Sequence, residues 1–290
     1  MLMGCWVRAI FKRSAAFEQC KEHCRMFSSS LRPRPRITRA RKNWLRAAYA
    51  DNIRRETIEQ PVEPNLIFRE RFRKEMDTVK LAPQIFDYFL VLDFEATCDR
   101  TRMPEVQEII EFPVVKVDAQ TMEVVSTFHH YVLPRVNPAL TTFCTQLTGI
   151  IQDMVDGQPH FEEVTQLFQK WMDAEGLLHP ECKSCFVTCG DWDLATMLPM
   201  QSDYFKVPVP SYFDRWINVK HSFSECIGHF PRGLMLMLES LNIQHTGRHH
   251  SGIDDCMNIV KIMRALSERG YVFRINGQRT AVRGGKGKKF

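Results

Sequence analysis

A mixed α/β sheet domain is expected over residues 81–270, and three patterns point to it. Between 85 and 133 lie three apolar runs joined by short polar connections, as in an antiparallel meander. After 140, apolar residues at helical spacing alternate with short apolar runs, the pattern of crossover connections. Acids recur where strands end or helices begin, which is where open α/β sheets hold ligands.

The first run reads as a strand over 85–94, buried in the middle of the sheet, and leads into Val91-Leu92-Asp93-Phe94-Glu95-Ala96-Thr97. Side chains alternate along a strand, so Asp93 and Glu95 face one way and Phe94 the other. Two neighbouring carboxylates repel and are costly to desolvate unless a cation lies between them. A strand running out into polar surface accounts for this heptapeptide equally well.

A second strand is expected over 108–117, a turn at Asp118-Ala119-Gln120-Thr121, and a third strand over 123–133. His129 and His130 fall on its two faces and read as ordinary strand residues. A loop-helix region covers 143–150. Phe161, Val164, Leu167, Phe168, Trp171 and Met172 then form the stripe of a core-facing helix that Gly176 can end. A strand at 185–189 hands over at Gly190-Asp191-Trp192-Asp193 to a helical pattern. A strand at 216–219 and helices near 221–228 and 233–241 follow. Last comes Gly247-Arg248-His249-His250-Ser251-Gly252-Ile253-Asp254-Asp255, then a helix carrying Cys256, Met257, Val260, Met263 and Leu266, closed by Gly270. The order is a meander extended by crossovers.

Charge divides the chain. Residues 1–86 carry 19 Lys/Arg against 9 Asp/Glu, 270–290 carry 6 Lys/Arg and no acid, and 87–269 have a net charge of −11. An acidic body with basic ends suits a metal site that meets a polyanion, although solvated tails explain the ends as well. We therefore expect a basic, largely disordered extension over 1–80 and a basic flexible tail over 271–290. Arg/Pro-rich residues 28–42 are the clearest stretch of the extension. No apolar run is long enough for a transmembrane helix, so no membrane partner is expected.

The ten cysteines are not spaced as a disulfide framework, which points to a reducing, intracellular compartment, cytoplasmic or nuclear. Mitochondria are the lesser alternative: the first seventeen residues lack acids, but Glu18 and Glu22 soon follow. Cys182, Cys185 and Cys189, with His179, could be half of a zinc site. The sequence offers no second half, and strand or loop packing is the expectation for them.

Three motifs then add up. Asp93-Phe94-Glu95-Ala96-Thr97, Asp193 after Gly190-Asp191-Trp192, and His250-Ser251-Gly252-Ile253-Asp254-Asp255 resemble, in order, the three motifs of the DEDDh 3′-to-5′ exonucleases. The spacing selects His250 over His249 and Asp255 over Asp254. The strings DFEATC, FCTQLTGI and HHSGIDDCMNI are similar to the enhanced-RNAi exoribonucleases, the histone-mRNA 3′ exonuclease group, and within it to the branch linked to the prion protein. Each motif alone is weak, whereas three in order on matching elements are specific. The resemblance covers about residues 82–268, and the N-terminal nucleic-acid-binding helical module of the group's founding member is not visible here.

The resemblance implies a ribonuclease-H-like sheet and a two-metal 3′-to-5′ exoribonuclease acting on RNA with a free 3′ end. It also implies the prion protein as a protein partner. Two Mg²⁺ ions, replaceable by Mn²⁺, would be held by Asp93, Glu95, Asp193 and Asp255, oxygen donors suited to hard cations. His250 would be the general base; alone it would read as a solvent-exposed histidine. Glu95 would also orient the terminal nucleotide or the attacking water. Phe143, Leu147 and Trp192 would pack at the terminal base, and the amide of Ala96 or Thr97 would meet the 3′-hydroxyl. Phe143 is equally explained as core. A DNA exonuclease of the same superfamily and a catalytically idle RNA- or protein-binding adaptor are the alternatives.

Overall fold

In the computed structural model, residues 80–279 are described; the expected N-terminal extension and the end of the expected tail lie outside them. The first strand, β1 (Tyr88–Leu92), is shorter than the apolar run predicts. Ile85 is exposed and Lys183 already bonds to Asp87, so pairing begins only at Tyr88. Two residues after β1 ends, β2 (Glu95–Ala96) continues along the same neighbour, β3 (Ile109–Asp118). Antiparallel to β3 on its other edge runs β4 (Val124–Tyr131), completing the expected meander. Two strands extend β1 in parallel, β5 (Ser184–Thr188) and then β6 (Arg215–Asn218).

Alternation along β1 and β3 builds two cores. Phe89, Val91, Val115 and Val117 face one layer of helices: α5 (Val219–Ile227), α6 (Leu234–Ser240) and α7 (Gly252–Glu268). Leu90, Leu92, Phe112 and Val114 face the other, chiefly α3 (Phe161–Ala174) and α4 (Leu198–Phe205). Phe168 on α3 lies at the centre of that second core, its ring 5.1 Å from those of Phe112 and Phe128. Burying each such side chain contributes roughly 1.5–3 kcal/mol. A smaller cluster forms under α1 (Thr142–Thr148) and the short α2 (Gln152–Val155). This is a mixed sheet, antiparallel meander plus parallel strands, flanked by helices, as the sequence predicts.

Three features were not predicted. The helical pattern after Asp193 opens as a π-helix, Asp193–Met197, before α4. Residues 271–279, expected to start a flexible tail, are folded: Phe273 is fully buried, and β7 (Gly277–Gln278) pairs with β6. α7 begins three residues before Asp255, so this acid sits on the first turn rather than ahead of it. Among the described residues no helix is long and apolar enough to cross a membrane.

Candidate active site

The site grows from the end of β1. Because Phe94 turns into the second core, edge-on to Phe112 at 4.7 Å, Asp93 is left on the opposite side. The Phe94 amide donates to Asp193 Oδ1 at 2.9 Å, which ties the second acid to the first strand. Asp193 is delivered by a pinned turn. Gly190 takes φ +128°, a conformation that suits glycine, and the Thr188 hydroxyl donates to its carbonyl. Asp191 accepts from the Trp216 indole at 2.9 Å, anchoring the turn to β6. A π-turn at this point matches the tendency of such turns to mark functional sites.

The start of α7 brings the third motif to the same place. A Cβ on Gly252 would lie 2.5 Å from the Asp93 carbonyl oxygen, so only glycine permits this approach. Glu111, opposite Glu95 across β2 and β3 and only 1% exposed, accepts from the amides of Gly252 (2.9 Å) and Ile253 (3.2 Å). A carboxylate here satisfies orphan donors of the helix and complements its dipole. His129 Nε2 lies 2.8 Å from the same carboxylate, so this histidine supports the cap and is more than an ordinary strand residue. Sequence reasoning passed over Glu111; the available signal was an acid inside the apolar run 109–115.

His250 sits at φ +66°, an uncommon conformation for a side-chain-bearing residue. Its amide donates to Asp255 Oδ2 at 2.9 Å. Arg248, two residues earlier, fixes the loop: its amide donates to Asp254 at 2.8 Å, and its guanidinium donates to the Gln146 carbonyl near the end of α1. Ligand atoms of Glu95, His250 and Asp255 consequently lie within 4.8 Å of one another.

Electrostatics show what this concentration of acid costs. Burial pushes Asp93 well above its ordinary pKa, and Asp193, Asp255 and Glu111 add to the shift while Lys220 opposes it. Burial likewise raises Glu95, with Asp93, Glu111, Asp255 and Asp193 contributing. Asp193 is pushed up to about 6, mainly by burial, although the Phe94 amide and Lys220 hold it down. His250 is lowered by desolvation and then by His249, which favours its neutral, proton-accepting form. Mutually repelling buried oxygens of this kind fit divalent cations, whose charge removes the repulsion.

The expected nucleotide contacts divide. Phe143 and Leu147 are partly buried on α1, packed against Cys98, Ile110 and Cys144. The Thr141 hydroxyl ties that helix to the Cys98 carbonyl, so α1 borders the segment after β2. Thr97 does not have a spare amide: it donates to the Glu108 carbonyl at 2.8 Å. Glu108 accepts from the amides of Arg135, Val136 and Asn137 and so shapes the loop leading to α1. Trp192 packs against the second core, and its buried Nε1 has no hydrogen-bond partner among the described residues. Cys182, Cys185 and Cys189 are free thiols that, among the described residues, do not join a group able to hold a metal.

Comparison with known proteins fits this geometry. The exonuclease family (RNase_T) matches residues 90–263. Human ERI1 exoribonuclease 3 is 56% identical over 197 residues, 68% of this chain and 58% of that one. Rat 3′-5′ exoribonuclease 1 is 39% identical over 198 residues, 66% and 56% of the two chains. The chain thus spans somewhat over half the length of the curated relatives it matches. The solved nuclease domain of 3′hExo, a DEDDh family member bound to rAMP, is 38% identical with a TM-score of 0.65, covering 68% of this chain and 100% of that one. A structure of a 3′-exonuclease recognising the histone mRNA stem-loop gives a TM-score of 0.65 at 36% identity, covering 69% and 89%. The match runs from the middle of β1 into α7 and spans all three acid motifs; the chain belongs to the exonuclease family, alongside the DEDDh member 3′hExo.

Proposed function

We propose that this chain is a metal-dependent 3′-to-5′ exoribonuclease that releases nucleoside 5′-monophosphates. The observation that carries the reading is the convergence of Glu95, His250 and Asp255 within 4.8 Å, beside an Asp193 bonded to the peptide next to Asp93. The family's divalent-metal dependence accords with the donor set, and we propose Mg²⁺, with Mn²⁺ able to substitute. Asp93, Glu95, Asp193 and Asp255 would hold the ions, which when bound acidify a water and neutralise charge on the leaving oxygen.

The chain's own groups do the rest. Neutral His250 takes the proton of the attacking water. Arg248 holds the histidine loop against α1, so the base and the wall carrying Phe143 and Leu147 are set by one contact. Those side chains give a base-tolerant apolar surface, consistent with trimming many sequences. Glu95 and the Ala96 amide would meet the terminal ribose, and a carboxylate that accepts from a 2′-hydroxyl favours RNA over DNA.

Two readings compete. An adaptor has no use for all five motif residues, and here they are gathered at one place. A DNA exonuclease would need the same acids with a different sugar contact. Matched RNA and DNA oligonucleotides with Mg²⁺ separate these: we expect faster RNA trimming, with Asp93→Ala and Asp255→Ala inactive yet folded. Undiminished trimming by either variant would remove the metal assignment.

A further inference from the structure

Asp255 has two further histidine neighbours besides His250. His249 Nδ1 lies 3.2 Å from Asp255 Oδ2, and His245 Nε2 lies 3.6 Å from Oδ1. One ligand atom from each of His245, His249 and Asp255 falls within 4.8 Å of the other two. The His249 contact alone would pass as an ordinary hydrogen bond. The His245 contact does not: its Nε2 is buried, beyond hydrogen-bond reach of the carboxylate, and without a partner among the described residues. Buried polar groups are normally satisfied, so this nitrogen calls for another atom.

Geometry and chemistry name the kind of atom. Ligand atoms about 2.0–2.2 Å from a tetrahedral zinc stand roughly 3.3–3.6 Å apart, and the separations from Asp255 Oδ1 to His249 Nδ1 and His245 Nε2 are 3.4 and 3.6 Å. Imidazole nitrogens with one carboxylate favour zinc-like transition metals, whereas magnesium favours oxygen alone. Three protein ligands leave a fourth position for water. The segment 245–249 lies between α6 and α7, and the loop after Gly247 is anchored by Asp254.

We propose that His245, His249 and Asp255 form a transition-metal site, of the class that takes Zn²⁺, and that filling it switches the nuclease off. Zinc there engages Asp255, which the proposed metal pair also needs. It also fixes the His249 ring, which stacks on His250 with centroids 3.9 Å apart, and so restrains the base. The metal-binding half stands on its own; the inhibition half rests on the role proposed above for Asp255.

The test uses the full chain. Cobalt(II), a spectroscopic substitute for zinc, is titrated in while the visible absorption of tetrahedral Co²⁺ is followed, then displaced with Zn²⁺. RNA trimming is measured in parallel with fixed Mg²⁺ and rising Zn²⁺. We expect a one-equivalent tetrahedral band that Zn²⁺ abolishes, and inhibition that added Mg²⁺ relieves. His245→Gln and His249→Gln should each lose the band and, measured against each variant's own zinc-free rate in Mg²⁺, tolerate at least about tenfold more Zn²⁺. Bands and zinc sensitivity unchanged in both folded variants would overturn the site. If His245→Gln fails to fold, the more exposed His249→Gln still decides. A parent chain that shows the band but never trims RNA would instead defeat the nuclease reading and leave the metal site standing.

Discussion

Asp193 is 4% exposed, and its pKa is pushed up to about 6 from 3.8. Holding it ionised without a cation therefore costs the fold on the order of 2–3 kcal/mol, at 1.36 kcal/mol per pKa unit. Asparagine keeps an oxygen for the Phe94 amide and removes the charge. Asp193→Asn should thus raise the melting temperature of the metal-free protein at pH 7 by several degrees while abolishing RNA trimming, measured by calorimetry and product gels. Gly252 makes the opposite case. Gly252→Ala drives a methyl into the Asp93 carbonyl, and we expect a loss of roughly 1–3 kcal/mol together with weakened Mg²⁺ binding by titration calorimetry. A melting temperature and metal affinity equal to the parent would show that α7 does not press on β1 as described. Asp93 and Asp255 were legible through the motifs this sequence shares with the DEDDh exonucleases. Glu111 was not, because its partners are amides some 141 residues away.

Among the elements, α7 and the loop before it carry most of the positional burden. Glu111→Ala leaves the α7 amides and His129 without their acceptor, and we expect a loss on the order of 1–3 kcal/mol in chemical denaturation. Arg248→Ala frees the histidine loop from α1. It should lower kcat more than it raises KM, with faster hydrogen exchange over 246–251, whereas an equal exchange rate would show that the α1 contact is not what orders the loop. β1, β3 and α3 could be read from the sequence because their apolar periodicity is local. The π-turn and β7 could not: one is a single extra residue in a helical ladder, and the other is a two-residue strand made by its partner.

Taken whole, the molecule couples its stability to protons and cations through one cluster. Carboxyls whose pKa is raised on folding stabilise the metal-free fold when protonated. That contribution is full below the unfolded pKa and is lost as pH rises through the folded value, for Asp193 between 3.8 and about 6, with Asp93 and Glu95 acting in the same direction. Mg²⁺ binds the ionised forms, so the melting-temperature gain on adding it should be larger at pH 8 than at pH 5. A gain independent of pH would separate the cation from these acids.

The central claim is most directly tested by the products made from a 5′-labelled single-stranded RNA with Mg²⁺. The account predicts a ladder that shortens one nucleotide at a time from the 3′ end, release of nucleoside 5′-monophosphates, and no products with Asp93→Ala. Internal cuts, nucleoside 3′-monophosphates, or trimming that survives Asp93→Ala would contradict it.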